Sequence, residues 1–134
     1  MTGNQSIVMI VDDDDSIRKA VRRLMKSYGF AVETFASATE YLGSDRLDKT
    51  SCLVLDVHMP DMNGLELQKR IVESGRAIPI IFITAFTDEN ARAQAMRAGA
   101  VDYLAKPFSD EELLKCIHVA LQSAGPEVSQ FVRR

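Results

Sequence analysis

The stretch IVMIVDDDDSIRKAV, residues 7–21, decides the fold. Five aliphatic residues in a row, Ile7–Val11, are too few for a buried helix and read as a strand covered on both faces. Four aspartates follow at once, and from Ser16 the spacing changes. Ile17, Val21, Leu24, Met25 and Tyr28 recur at i, i+3 and i+4, which predicts an amphipathic helix over about Ser16–Tyr28 that Gly29 stops.

The same alternation repeats outward from this unit. Further strands are expected at Ala31–Phe35, Cys52–Asp56, Ile78–Thr84 and Val101–Ala105. A second helix opens at Ser37 with Glu40 three residues on, the spacing of a capping box. A third covers Gly64–Ser74, with Leu65, Leu67 and Ile71 inward. A fourth, Glu89–Ala98, is rich in small residues and ends at Gly99. The last opens on a second capping box, Ser109 with Glu112, and carries the stripe Leu113, Leu114, Ile117, Ala120 and Leu121 before Gly125-Pro126. Five β-α repeats predict an α/β fold with a parallel sheet and right-handed crossovers. Residues 1–124 are expected to form one domain, and 125–134 a tail or linker stub.

Composition fits this picture. The chain has 134 residues, 46% of them hydrophobic and 26% charged, enough for one core. Its net charge of -3 and the lack of a basic cluster before Arg133-Arg134 argue against direct nucleic-acid binding. The longest apolar run, Ile78 to Phe86, is too short to span a bilayer, and Met1–Ser6 do not resemble a signal peptide. The cytoplasm is the expected compartment. Cys52 and Cys116 have neither metal nor redox spacing and read as reduced thiols in or near the core.

Ligands of such sheets bind outside the carboxyl ends of the strands. There the sequence places Asp12 and Asp13 after the first strand, Asp56 at the end of the third, Thr84 at the end of the fourth and Lys106 after the fifth. Carboxylates this close repel one another, and a divalent cation removes the conflict. Mg2+ is commonly held by one or two carboxylates with retained waters. Asp13 and Asp56 are the expected direct ligands, Asp12 acts through water, and the backbone carbonyl of His58 adds an oxygen. An Asp carboxylate is also a nucleophile for phosphoryl transfer. Lys106, the Thr84 hydroxyl and the Ala85 amide are placed to neutralise the remaining phosphoryl oxygens. The bland reading of each residue alone is a helix cap, a turn aspartate or a surface lysine; Asp14 or Asp15 is expected to serve as such a cap. A shifted acidic pair, Asp13 with Asp14, is an alternative.

Together with LVLDVHMPDMNGLEL (53–67), IIFITAF (80–86) and AGAVDYLAKPFSDEEL (98–113), the opening stretch resembles the receiver domains of two-component response regulators. The similarity covers about residues 6–123. Its wording is closest to receivers of the nitrogen-fixation regulator type. The resemblance implies a flavodoxin-like (βα)5 sandwich with strand order 2-1-3-4-5, with Asp56 as phosphoacceptor and Asp12 and Asp13 as the acidic pair. It makes Thr84 the switch hydroxyl, Tyr103 the switch aromatic, and Lys106 the site lysine, joined to Pro107 by a cis bond. It implies a sensor histidine kinase as partner, and a homodimer or output-domain contact through the fourth helix, fifth strand and fifth helix. His58 and Phe86 stand near the path of an attacking water and are expected to influence phosphate lifetime. His118 is expected at or near the surface.

Rival chemistries fare worse. A haloacid-dehalogenase-type phosphohydrolase also uses an aspartate nucleophile but places a second Asp two residues later, where this chain has His58. A flavin carrier needs a Ser/Thr/Gly-rich phosphate loop after the first strand, and Asp12–Asp15 would repel that phosphate. A receiver that works without phosphorylation is disfavoured because all the expected site residues are present. The expectation is a phosphoacceptor that acts only on its own phosphorylation and dephosphorylation, and not a turnover enzyme.

Overall fold

The computed structural model describes residues 6–123; the expected tail 125–134 lies outside them. Five parallel strands, β1 (Ile7–Val11), β2 (Ala31–Phe35), β3 (Cys52–Asp56), β4 (Ile80–Thr84) and β5 (Asp102–Ala105), form one sheet in the order β2-β1-β3-β4-β5. The helices are α1 (Asp15–Ser27), α2 (Ala38–Leu42), α3 (Gly64–Glu73), α4 (Glu89–Arg97) and α5 (Asp110–Ser123).

Strand periodicity sorts the core into two layers. Met9, Val11, Leu53, Leu55 and Phe82 face α2, α3 and α4, meeting Tyr41, Leu67, Ile71 and Ala95. Their neighbours Val8, Ile10, Cys52, Val54, Ile81 and Ile83 face α1 and α5, meeting Val21, Met25, Leu113, Ile117 and Ala120. The central strands β3 and β4 are buried at every residue, as parallel strands with helices on both sides must be. Both cysteines are free and buried, and burial pushes each thiol up to about 12.

Helix starts follow the capping chemistry. Asp14 caps α1, its carboxylate accepting from the amides of Ser16 (2.8 Å) and Ile17 (3.3 Å). Asn63 caps α3 through the Glu66 amide at 2.9 Å. At α5 the Ser109–Glu112 box is reciprocal, with bonds of 3.0 and 2.9 Å. In α2 the Ser37 hydroxyl accepts from the Glu40 amide at 3.0 Å, but the Glu40 carboxylate reaches back to the Ala36 amide at 2.7 Å, one residue before the cap.

Two strands start later than the sequence suggested. β4 begins at Ile80 rather than Ile78, because Pro79 has no amide hydrogen to donate to the ladder. β5 begins at Asp102 rather than Val101. Helices α1, α3 and α4 end one residue sooner than expected, and a 3-10 turn at Leu47–Lys49 was not foreseen.

Candidate functional site

Parallel strands deliver their last residues to one edge of the sheet, and here that edge is acidic. Asp12 follows β1, Asp56 ends β3 and Thr84 ends β4; they are 0%, 4% and 0% exposed. One carboxylate oxygen each from Asp12, Asp13 and Asp56 lies within 4.8 Å of the others. Lys106, just past β5, places its Nζ 2.9 Å from Asp12 Oδ2 and 3.7 Å from Asp56 Oδ1. Asp13 alone of the acidic trio is exposed.

Asp12 is held from behind. Its Oδ1 accepts from the Asp14 amide at 2.8 Å, and Arg18 Nη1 donates to its carbonyl at 2.7 Å. Asp14 spends its own carboxylate on the α1 cap, and the carboxylates that gather at the edge are those of Asp12, Asp13 and Asp56.

The Asp56 carboxyl is pushed up to about 7. Burial is the main cause, and Asp12 adds to it; Lys106 and a hydrogen bond from the His58 amide pull the other way. With all three carboxylates ionised against one ammonium, the cluster carries two negative charges. An all-oxygen donor set with that surplus fits a hard divalent cation such as Mg2+.

The other expected residues surround this cluster. The Thr84 hydroxyl is turned onto its own loop, donating to the Phe86 carbonyl at 2.9 Å and accepting from the Phe86 amide at 3.1 Å. Ala85 is exposed beside it. His58 and Phe86 are both exposed, and their rings meet edge to face at 5.8 Å. Tyr103 points inward, 7% exposed, with its ring 6.1 Å from that of Phe82. Its buried hydroxyl has no hydrogen-bond partner. The Lys106–Pro107 bond is cis. His118 is exposed, against Phe30.

Three features escaped the sequence reading. Gly64 appeared only as a helix start, yet a Cβ there would stand 2.3 Å from the Asp56 carbonyl oxygen and 3.1 Å from the Phe82 ring. Arg18 on α1 belongs to no motif that would mark it as the partner of the Asp12 carbonyl. The Thr84–Phe86 bonds depend on a loop conformation that no spacing rule predicts.

A family model described as "Response regulator receiver domain" matches residues 8–118. The chain belongs to that family. Among curated relatives, this receiver is 41% identical over 133 residues to the response regulator protein TodT of Pseudomonas putida, covering 99% of the chain and 59% of TodT. The receiver therefore spans little more than half the length of the curated relatives it matches, 53% of the regulator TdiR being a further case. The solved response regulator StyR superposes with a TM-score of 0.86 at 43% identity, over 96% of this chain and 65% of that one. The structure of FixJ-N does so with a TM-score of 0.80 at 36% identity, over 90% and 96%. The fold matches these receivers in strand order and helix placement. None of the helices among the described residues is long and apolar enough to cross a membrane.

Proposed function

We propose that this receiver is a cytoplasmic phosphorylation switch in which Asp56 accepts a phosphoryl group from the phosphohistidine of a sensor histidine kinase. The observation that carries the reading is Asp56 at the end of β3, within ion-pair reach of Lys106 and with a carboxylate oxygen within 4.8 Å of those of Asp12 and Asp13.

In this reading an Asp56 carboxylate oxygen attacks phosphorus, the P–N bond breaks, and its electron pair stays on the departing imidazole. Asp13, Asp56 and the His58 carbonyl would hold Mg2+ directly, with Asp12 behind a water. The cation would supply neutralisation of phosphoryl charge. Lys106 would move its ammonium from the Asp12–Asp56 pair onto a phosphoryl oxygen, and the Ala85 amide would donate to another. Thr84 would exchange its bonds to Phe86 for one to the phosphoryl group. Tyr103 and the α4–β5–α5 face would then change for a partner, a second receiver or an output domain. Hydrolysis of the aspartyl phosphate by water would return Asp56 and inorganic phosphate, past the exposed His58–Phe86 pair.

The test is incubation with a small acyl phosphate and Mg2+. Acid-labile phosphate, also released by base as an acyl phosphate must be, should appear on wild type and vanish in Asp56→Asn. Normal labelling of that variant sinks the assignment. Asp13→Ala should weaken Mg2+ binding severely, and unchanged affinity by titration would remove Asp13 from the ligand set.

A further inference from the structure

Four polar or charged side chains are buried among the described residues: Asp12, Asp56, Thr84 and Gln68. The first three meet at the phosphorylation site, and Gln68 does not. It sits on α3, 2% exposed, and its Nε2 donates to the Ala95 carbonyl of α4 at 3.0 Å. A buried amide is tolerated where it is bonded, so this contact explains why a glutamine stands on an inward face.

The bond grips one end of α4. Its acceptor carbonyl also takes the Ala100 amide at 3.1 Å, where the chain turns at Gly99 with φ +102°. One residue on, the Val101 amide donates to the Ile80 carbonyl at 2.7 Å. Cavities of about 230 and 300 Å3 border this end of the helix, both lined by Gln68, Val72 and Ala98. The hydrogen bond from Gln68 is the side-chain attachment of this end of α4 to α3.

The other end is held differently. Residues 85–90 are all exposed, and the buried side chains of α4, Ala91 and Ala95, are single methyl groups. The loop that enters α4 bonds back to the sheet through the Phe86 main chain on the Thr84 hydroxyl. A change at Thr84 therefore acts on the weakly held end.

We propose that Gln68 is a positioning residue for the response, a fulcrum that pins the C-terminal end of α4 to α3. Movement of Thr84 is then expressed as a swing of the N-terminal end of α4 above Tyr103. The inference rests on the phosphorylation-switch reading. From the pin at Ala95 back to Glu89 the helix gives a lever of about 9 Å, so a turn of about 10° about the pin moves the first turn by about 1.5 Å.

Amide hydrogen exchange by NMR, with and without beryllofluoride and Mg2+, tests this on the full chain. The variants are Gln68→Met, which keeps length and removes the donor, and Gln68→Glu, which sets an acceptor against the carbonyl. In wild type, beryllofluoride should alter exchange over residues 86–91 and leave Gly99 and Ala100 as they were. In both variants Gly99 and Ala100 should exchange about threefold to tenfold faster, and the beryllofluoride response should spread along all of α4. Affinity for beryllofluoride, which reports the site itself, should stay within about twofold of wild type. Unchanged protection of Gly99 and Ala100 in both variants overturns the pin. A wild-type response as large at Ala100 as at residue 87, or faster exchange in the variants with the response still confined to 86–91, overturns the fulcrum alone. Absence of any beryllofluoride response in wild type overturns the switch reading and the fulcrum together.

Discussion

Replacing Asp56 by asparagine should stabilise the receiver, and by more as the pH rises. The folded carboxyl is pushed up to about 7 from an ordinary value of 3.8. The native state therefore keeps a proton that the unfolded chain has released, so stability falls with pH across that window. Above about pH 7 both states are ionised and the full cost stands. At 1.36 kcal/mol per unit, that cost approaches roughly 4 kcal/mol. Integrated from about pH 5 to about pH 8, the wild-type protein loses roughly 2.5 kcal/mol that Asp56→Asn does not lose. Asp56 is 4% exposed, so water screens little of this. Urea unfolding followed by far-UV circular dichroism, in EDTA at constant ionic strength, measures it. With a slope of about 2 kcal/mol per molar urea, the gap between the two midpoints should widen by about 1 M over that range. Comparison with the variant cancels the titration of groups that do not interact with Asp56. A gap constant with pH, or one that narrows, refutes the claim that Asp56 carries the electrostatic conflict of the site.

The same proton sets the metal affinity. A cation must displace it, so Mg2+ binding to wild type should weaken about tenfold from pH 8 to pH 6, measured by calorimetric titration, and a flat profile would contradict the raised Asp56 carboxyl. Tyr103→Phe removes a buried hydroxyl that has no partner and should be neutral or stabilising by up to about 1 kcal/mol; a clear loss of stability in urea would mean that the hydroxyl is bonded. Gly64→Ala forces a methyl to within 2.3 Å of the Asp56 carbonyl and should cost about 3 kcal/mol in thermal or urea unfolding. It should also lower the rate of acyl-phosphate labelling, because the backbone that must shift carries Asp56; labelling at the wild-type rate would refute that link.

The strand-end set was legible because connectivity, more than any one residue, dictates it. Short aliphatic runs joined by helices must lie parallel, and parallel strands present their last residues to one edge. That logic alone brings Asp12, Asp56, Thr84 and Lys106 to one edge. What it leaves undetermined is partnership within the edge. Lys106 lies nearer Asp12 (2.9 Å) than Asp56 (3.7 Å), a difference set by side-chain reach. Thr84 bonds its own loop, which only the path of residues 85–88 determines. Gln68 was illegible for another reason. A glutamine between Leu67 and Ile71 reads as the polar side of an amphipathic turn, and its burial depends on where the Ala95 carbonyl of another helix falls. The start of β4 was misread because Ile78 and Pro79 extend the apolar run while Pro79 cannot extend the ladder.

The places where this fold falls short of its best stability are the places a response would use. Lys106 favours Asp12, so Asp56 is left under-compensated. An added cation or phosphoryl group therefore finds interactions that the resting protein has not already satisfied. Tyr103 is buried with its hydroxyl unpartnered, and Thr84 fills its hydrogen-bonding capacity with a loop whose residues are otherwise exposed. A new bond at Thr84 would therefore compete with its two bonds to the Phe86 main chain alone. Substitutions that relieve these defects should stabilise the domain and blunt its response in the same step. A fully satisfied edge would hold Asp56 ionised and paired with Lys106, with little electrostatic reason to bind a cation.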